Sequence, residues 1–216
     1  MKLRSPARPH DPWWHIVGLI SGLLFTLMLA AARLRLGWLD HIDSVLEAPL
    51  AAYRTMSVVE FFLAVTVLGS MEGVTSIALG AAYFLRSKSH KLVRLFLLIF
   101  LSSSSTTLAK AFVERARPDA VPWIQQLNNY SFPSWHATLS TALYGYLAVI
   151  LYRRCRHYRA ARIAVVILCG IVVALVCLSR LILNVHYVTD VTAGVLLGLF
   201  WLAVIFMIPE KYLQLR

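Results

Sequence analysis

The sequence predicts an all-α polytopic membrane protein, a single domain over residues 1–216 built as a bundle of six transmembrane helices. Three observations lead there. Of the 216 residues, 59% are hydrophobic and the mean hydropathy is +0.70, whereas soluble domains are about 45–50% apolar. Apolar runs near the length that crosses a hydrocarbon core of about 30 Å occur at 16–32, 61–85, 92–113, 137–152, 163–178 and 188–208. The basic residues are gathered into short segments between those runs, as in chains whose membrane orientation is set by charge.

Residues 1–15 carry Lys2, Arg4 and Arg8, then Trp13 and Trp14, which reads as a basic cytoplasmic tail followed by interfacial aromatics. The run at 16–32 ends on Ala30-Ala31-Ala32, the form of a cleavable signal, but the membrane runs that follow favour a retained span. Residues 33–60 are too polar to span and read as an interfacial helix with a turn at Pro49. In the run at 61–85, Glu72 is the one charge. A long helix would bury it at mid-membrane. A break at Gly69 with a new helix from Ser70 places it in a first turn, where the helix dipole favours an anion, and that arrangement is preferred. The third run, 92–113, contains an unbroken hydroxyl tract at 102–107, a device for close helix packing.

Fourteen of the 21 Lys and Arg fall on the tails and on the loops after the second and fourth runs. That side is expected to be cytoplasmic, with both termini there. The net charge of +11 therefore encodes topology and gives no reason to expect nucleic acid. Cys155, Cys169 and Cys177 show neither a disulfide framework nor metal-ligand spacing.

Three polar stretches fall on the opposite, outer side. In the first, Lys110 and Arg117 stand seven apart before Pro118, so both can face one point if the helix continues to the proline. The second is Phe132-Pro133-Ser134-Trp135-His136. The third holds Ser179, Arg180, His186 and Asp190. His186 and Asp190 are four apart and share a face on a helix, so the carboxylate can orient one imidazole nitrogen and leave the other reactive. Arg180 supplies a planar fork suited to phosphate. Charge placed beside hydrocarbon is costly and marks a functional site. His136, His186 and Asp190 also form a nominal two-His-one-carboxylate metal set, but Lys110, Arg117 and Arg180 would repel a dication there. No metal and no cofactor is expected.

These stretches resemble the motifs of the type 2 phosphatidic acid phosphatase (PAP2) superfamily: Lys, six residues, Arg-Pro; then Pro-Ser-Gly-His; then Ser-Arg, five residues, His, three residues, Asp. The likeness covers a membrane core of about 57–208, with one departure, Trp135 in place of Gly, which bears on how closely the backbone approaches a phosphate. The resemblance implies His186 as nucleophile, Asp190 as its orienting partner, and His136 as general acid. It implies a phosphate cradle of Lys110, Arg117, Ser134, Trp135 and Arg180, with Ser179 supporting Arg180. It implies hydrolysis of a membrane lipid phosphate or diphosphate through a phosphohistidine at the outer face of a bacterial inner membrane. Candidate substrates are undecaprenyl diphosphate first, then phosphatidylglycerol phosphate and phosphatidic acid. A lipid phosphotransferase using the same intermediate is the alternative, and a non-catalytic lipid-phosphate binder is a further one.

The remaining polar residues have plainer readings. His15, His41, His90 and His157 are expected to be hydrogen-bonded structural groups. Glu114 and Arg115 are expected on a solvated face. Arg33, Arg35 and Arg54 are expected to meet headgroups, and Trp13, Trp14, Trp38, Trp123 and Trp201 to form interfacial belts.

Overall fold

The computed structural model describes residues 12–118 and 130–213; the tail at 1–11 and Trp123 lie outside them. Among the described residues the regular structure is all helical. The helices are α1 (Trp13–Arg33), α2 (Gly37–Ala51), α3 (Met56–Thr66), α4 (Met71–Leu85), α5 (Ser89–Val113), α6 (Trp135–Arg154), α7 (Arg159–Ile182) and α8 (Val188–Met207). Short 3-10 turns occupy Val67–Gly69 and Glu210–Tyr212.

Four helices, α1, α5, α7 and α8, are long and apolar enough to cross a membrane, or five if the bent α2–α3 pair forms one span. The six expected runs correspond to α1, α4, α5, α6, α7 and α8, so the count of six is approximate. Two of them fall short for different reasons. α4 has only 15 residues. α6 has 20 but sits at the centre of the bundle and carries Thr138, Ser140 and Thr141, all buried. Two of these hydroxyls turn back onto the helix, Thr138 Oγ1 to the Ser134 carbonyl at 3.0 Å and Ser140 Oγ to the His136 carbonyl at 2.6 Å. A helix lined by protein tolerates such groups where a lipid-facing one does not. By contrast α1 and α7 turn Leu19, Leu23, Ile167 and Leu168 outward, each more than half exposed.

The α6–α8 pairing sets the geometry of the outer end. A Cβ at Gly194 would lie 2.6 Å from the Ser134 carbonyl oxygen, and one at Gly198 would lie 2.7 Å from that of Thr138. Only glycine at both positions lets α8 rest on the α6 backbone, the small-xxx-small contact of membrane helices. The hydroxyl tract serves packing as expected. Ser102 and Thr106 are fully buried, and Ser105 Oγ accepts the Trp201 indole N–H at 2.8 Å. Trp201 thus ties α8 to α5 and is not a simple belt residue.

The break before α4 falls where the sequence placed it. Ser70 caps α4, its hydroxyl accepting the Gly73 N–H at 3.1 Å, and Glu72 occupies the first turn. Pro49 does not mark the turn expected in 33–60. It lies inside α2, which runs two residues further before Tyr53 N–H to the Leu50 carbonyl and Arg54 N–H to that of Ala51 close the reversal. Pro49 cannot supply the N–H that the Val45 carbonyl would otherwise take, a loss of one helical bond in the last two turns of α2. α2 and α3 then meet at 119°.

Candidate active site

The site forms where α5, α7 and the starts of α6 and α8 meet at one end of the bundle. Lys110 stands in the last turn of α5. That helix does not continue to Pro118 as expected. It stops at Val113, and Glu114 adopts a left-handed conformation, φ 55°. Arg117 therefore arrives on non-helical chain, and its meeting with Lys110 owes nothing to helical periodicity. Lys110 Nζ donates to the carbonyls of Tyr130 at 2.6 Å and Ser131 at 3.2 Å, which anchors the chain entering α6.

His186 also lies off the helix. α7 ends at Ile182, Asn184 turns the chain with φ 52°, and α8 begins only at Val188. The expected shared helix face is replaced by a capping arrangement. Asp190, in the first turn of α8, reaches back so that Oδ2 accepts the Tyr187 N–H at 3.0 Å, the acid half of a capping box. That leaves Oδ2 3.4 Å from His186 Nδ1, close enough for charge coupling but long for a hydrogen bond. On the other edge of the ring, Nε2 lies 3.1 Å from Arg117 Nη1. A guanidinium only donates, so Nε2 carries the lone pair and the proton sits on Nδ1, toward Asp190. Arg117 Nη1 also donates to the Val185 carbonyl at 2.6 Å.

Arg180 is 3% exposed and gives Nη1–H to Thr66 Oγ1 at 2.6 Å, while its Nε is buried with no hydrogen-bond partner. Ser134 is in the same condition. It is fully buried, its N–H donates to the Asp190 carbonyl at 3.0 Å, and its Oγ has no partner. Buried polar atoms without partners are rare enough to call for an explanation, and a bound anion would satisfy both. The N–H groups opening α6 add a dipole of the right sign. His136, in that first turn, packs against the α3–α4 break. A Cβ at Gly69 would lie 3.3 Å from His136 Cδ2.

Burial, and then the positive charges of Arg117, Arg180 and Lys110, hold the His186 imidazole well below the ordinary histidine value of 6.5. All three cations act on one ring, which brings the first and third stretches together, and the Ser134 N–H bond to the Asp190 carbonyl at 3.0 Å joins the second to them. The neutral ring is the reactive form. The limb of kcat/KM that belongs to His186 should therefore lie below pH 6.5, once the substrate's own ionisation has been measured and removed. A His186 limb at or above that value would contradict the assignment.

Trp135 opens α6 and packs against the core cluster containing Val74, Leu98, Leu139 and Leu143. Its side chain supports the bundle, so what it can offer an anion is its N–H. Trp135→Gly should keep turnover per folded molecule and lower stability by about 2 kcal/mol, read as detergent melting beside activity. Complete loss of activity in folded protein would place the indole in the site.

Arg115 is not on a solvated face. It is 13% exposed and binds three carboxylates: Asp190 Oδ1 at 3.0 Å, Asp43 Oδ2 at 2.8 Å and Asp40 Oδ1 at 3.0 Å. It also donates to Thr189 Oγ1 at 2.7 Å, and its guanidinium lies 4.3 Å from the centre of the Tyr187 ring. Asp43 in turn takes the Thr189 N–H at 2.9 Å and its hydroxyl at 2.6 Å. Asp40 and Asp43, three apart on α2, were the available signal. Glu114 accepts the Tyr130 hydroxyl at 3.1 Å. Arg54 does not face headgroups; it donates to the Ile182 carbonyl at 3.2 Å and to Asn184 Oδ1 at 3.0 Å, clasping the turn that carries His186.

The sequence profile of the PAP2 superfamily matches residues 91–213, more than half of the chain. This chain belongs to the PAP2 superfamily. Phosphatidylglycerophosphatase B of Bacillus subtilis (strain 168) is 28% identical over 199 residues, 91% of this chain and 97% of that protein. The crystal structure of a transmembrane PAP2 type phosphatidylglycerolphosphate phosphatase from Bacillus subtilis superposes with a TM-score of 0.79 at 25% identity, covering 92% of this chain and 98% of that one. Aquifex aeolicus LpxE shares the fold at a TM-score of 0.58 and 19% identity, over 75% of this chain and 92% of its own. The PAP2 chain described here is thus an integral membrane protein with the helical architecture of that superfamily.

Proposed function

We propose that this chain, a lipid phosphatase of the PAP2 superfamily, hydrolyses its substrate through a phosphohistidine on His186 without a metal ion. The observation that carries the reading is the His186 ring, with Nδ1 3.4 Å from Asp190 Oδ2 and Nε2 facing a guanidinium at 3.1 Å. In the first step Nε2 attacks phosphorus, the bond to the lipid oxygen breaks, and His136 gives its proton to that oxygen. Burial and the positive charges of Arg180, Arg117 and Lys110 push the His136 imidazole down to about 2 while no anion is bound, so the bound phosphate's negative charge must restore that proton. Lys110, Arg117, Arg180, Ser134 Oγ and the N–H groups opening α6, Trp135 among them, neutralise charge on the phosphoryl oxygens. Arg117 turns from Nε2 onto the phosphate as it binds. In the second step water attacks phosphorus, His136 takes its proton, the P–N bond breaks, and phosphate leaves. Three cations beside His186 disfavour a dication, which supports a metal-free route.

The names of the two Bacillus proteins make phosphatidylglycerol phosphate the first lipid to test, ahead of undecaprenyl diphosphate and phosphatidic acid. The distribution of Lys and Arg supports an active site on the outer face of a bacterial inner membrane, with both termini inside. Phosphate release from these purified lipids in detergent, with and without excess chelator, tests the reading. Release that survives chelator is expected. Loss restored by a divalent ion would overturn the metal-free route, and dependence on a second lipid acceptor would turn the assignment to phosphotransfer.

A further inference from the structure

Between α3 and α4 the chain makes a 3-10 turn, Val67–Gly69, whose contacts reach two side chains of the proposed chemistry. Thr66, the last residue of α3, accepts Arg180 Nη1–H on Oγ1 at 2.6 Å. Nη1 is the guanidinium nitrogen outside the Nε–Nη2 edge, and that edge offers an oxyanion two parallel N–H groups. Held by Nη1, Arg180 keeps the edge for a ligand, and its Nε is the buried atom without a partner. Two residues on from Thr66, the Leu68 carbonyl accepts the Tyr144 hydroxyl at 3.0 Å. Tyr144 is buried and lies eight residues beyond His136 on α6. Gly69 then closes against two helices at once. A Cβ there would overlap Val176 Cγ1, which is four residues before Arg180 on α7. The same Cβ would lie 3.3 Å from Cδ2 and 3.4 Å from Cβ of His136. Gly69 is not in the left-handed region, so the position demands glycine for room alone.

We infer that residues 66–69 are a positioning element of the active site, with Thr66 fixing the Arg180 fork and Gly69 fixing the His136 ring against one phosphoryl group. This role presupposes the catalytic roles proposed above for Arg180 and His136. Misplacing a reacting or charge-bearing group by about 1 Å can cost a hundredfold in rate. Arg180 and His136 come from different helices, and one short turn touches both, so the turn bears on their separation. Thr66 and Gly69 lie outside the three motif stretches. They touch no reacting atom themselves and act through the two side chains they hold.

Full-chain variants in detergent test it, assayed on phosphatidylglycerol phosphate and phosphatidic acid, which leave as alkoxides, and on para-nitrophenyl phosphate. T66V keeps the side-chain shape and removes the acceptor. Its kcat/KM should fall about thirtyfold on lipid and aryl substrates alike, since all present the same phosphoryl group, and T66S should recover most of the loss. In an R180A background T66V should cost little more. G69A should lower kcat on the lipids at least about tenfold more than on the aryl phosphate, whose leaving oxygen needs little help from an acid, with KM nearly unchanged. Should G69A fail to fold, Y144F, which releases the Leu68 carbonyl, carries the comparison with a smaller loss of the same selectivity. Unchanged kinetics in T66V, no rescue by T66S, additive losses of T66V and R180A, or a G69A loss equal on lipid and aryl substrates would each overturn the positioning role. A failure of the catalytic reading shows elsewhere: H136A would then cut lipid and aryl turnover alike, while the T66V and R180A cycle still decides the role of Thr66.

Discussion

His186→Ala is expected to lower turnover by about four orders of magnitude or more, a rise of roughly 5.5 kcal/mol in the barrier, with the fold retained. Retention is expected because the partners of Asp190 do not depend on the ring. Oδ1 keeps Arg115 at 3.0 Å and Oδ2 keeps the Tyr187 N–H at 3.0 Å. The measurement is phosphate release beside a melting curve in detergent. A second readout separates the nucleophile from the acid. The wild type trapped during turnover should carry an acid-labile phosphoryl group that His186→Ala lacks. His136→Ala should still acquire that group from an aryl phosphate, whose leaving oxygen needs little help from an acid. A His186→Ala protein that keeps more than about 1% of turnover would remove the covalent route.

Arg115→Gln should produce the second large effect, through positioning rather than through contact with substrate. Arg115 binds Asp190 through Nη1 and Asp43 through Nη2, and the two carboxylates are fully buried or nearly so. Removing the shared cation leaves two negative charges in a place without water, which costs about 3–5 kcal/mol. The cost should show as a lowered melting temperature. It should also show as a fall in kcat larger than any rise in KM, because an unsettled Asp190 no longer fixes the His186 ring. Arg115→Lys should recover only part of both, since one ammonium cannot reproduce a fork that reaches two carboxylates from separate nitrogens. Combination with Asp43→Asn should be less than additive. Additive losses would mean that Arg115 and Asp43 act separately.

Some of this was readable in the linear chain. The membrane runs were legible because lipid-facing helices must be apolar along most of their length, and α1, α5, α7 and α8 are. The three motif stretches were legible because their charges interrupt or abut hydrocarbon. The break at Gly69–Ser70 was legible because Glu72 had no acceptable place inside a long span. Other features depended on contacts that spacing does not record. Arg115 and Asp43 are 72 positions apart, and Asp43 sits in a stretch that looked merely polar. The end of α5 at Val113 turns on a left-handed Glu114, a conformation that residue type alone does not announce. The meeting of His186 with Asp190 came about by capping at the start of α8, though the four-residue spacing had suggested a helical face.

The contact of Gly194 and Gly198 with the α6 carbonyls restricts how a two-tailed molecule can reach His186 from the side. Helices seated backbone to backbone leave no seam for an acyl tail, and parting them would undo the Ser134–Asp190 link of 3.0 Å that both halves of the chemistry share. The portal must therefore open between other neighbours, and differences in tail preference among relatives should map to those walls, leaving the α6–α8 seam alone.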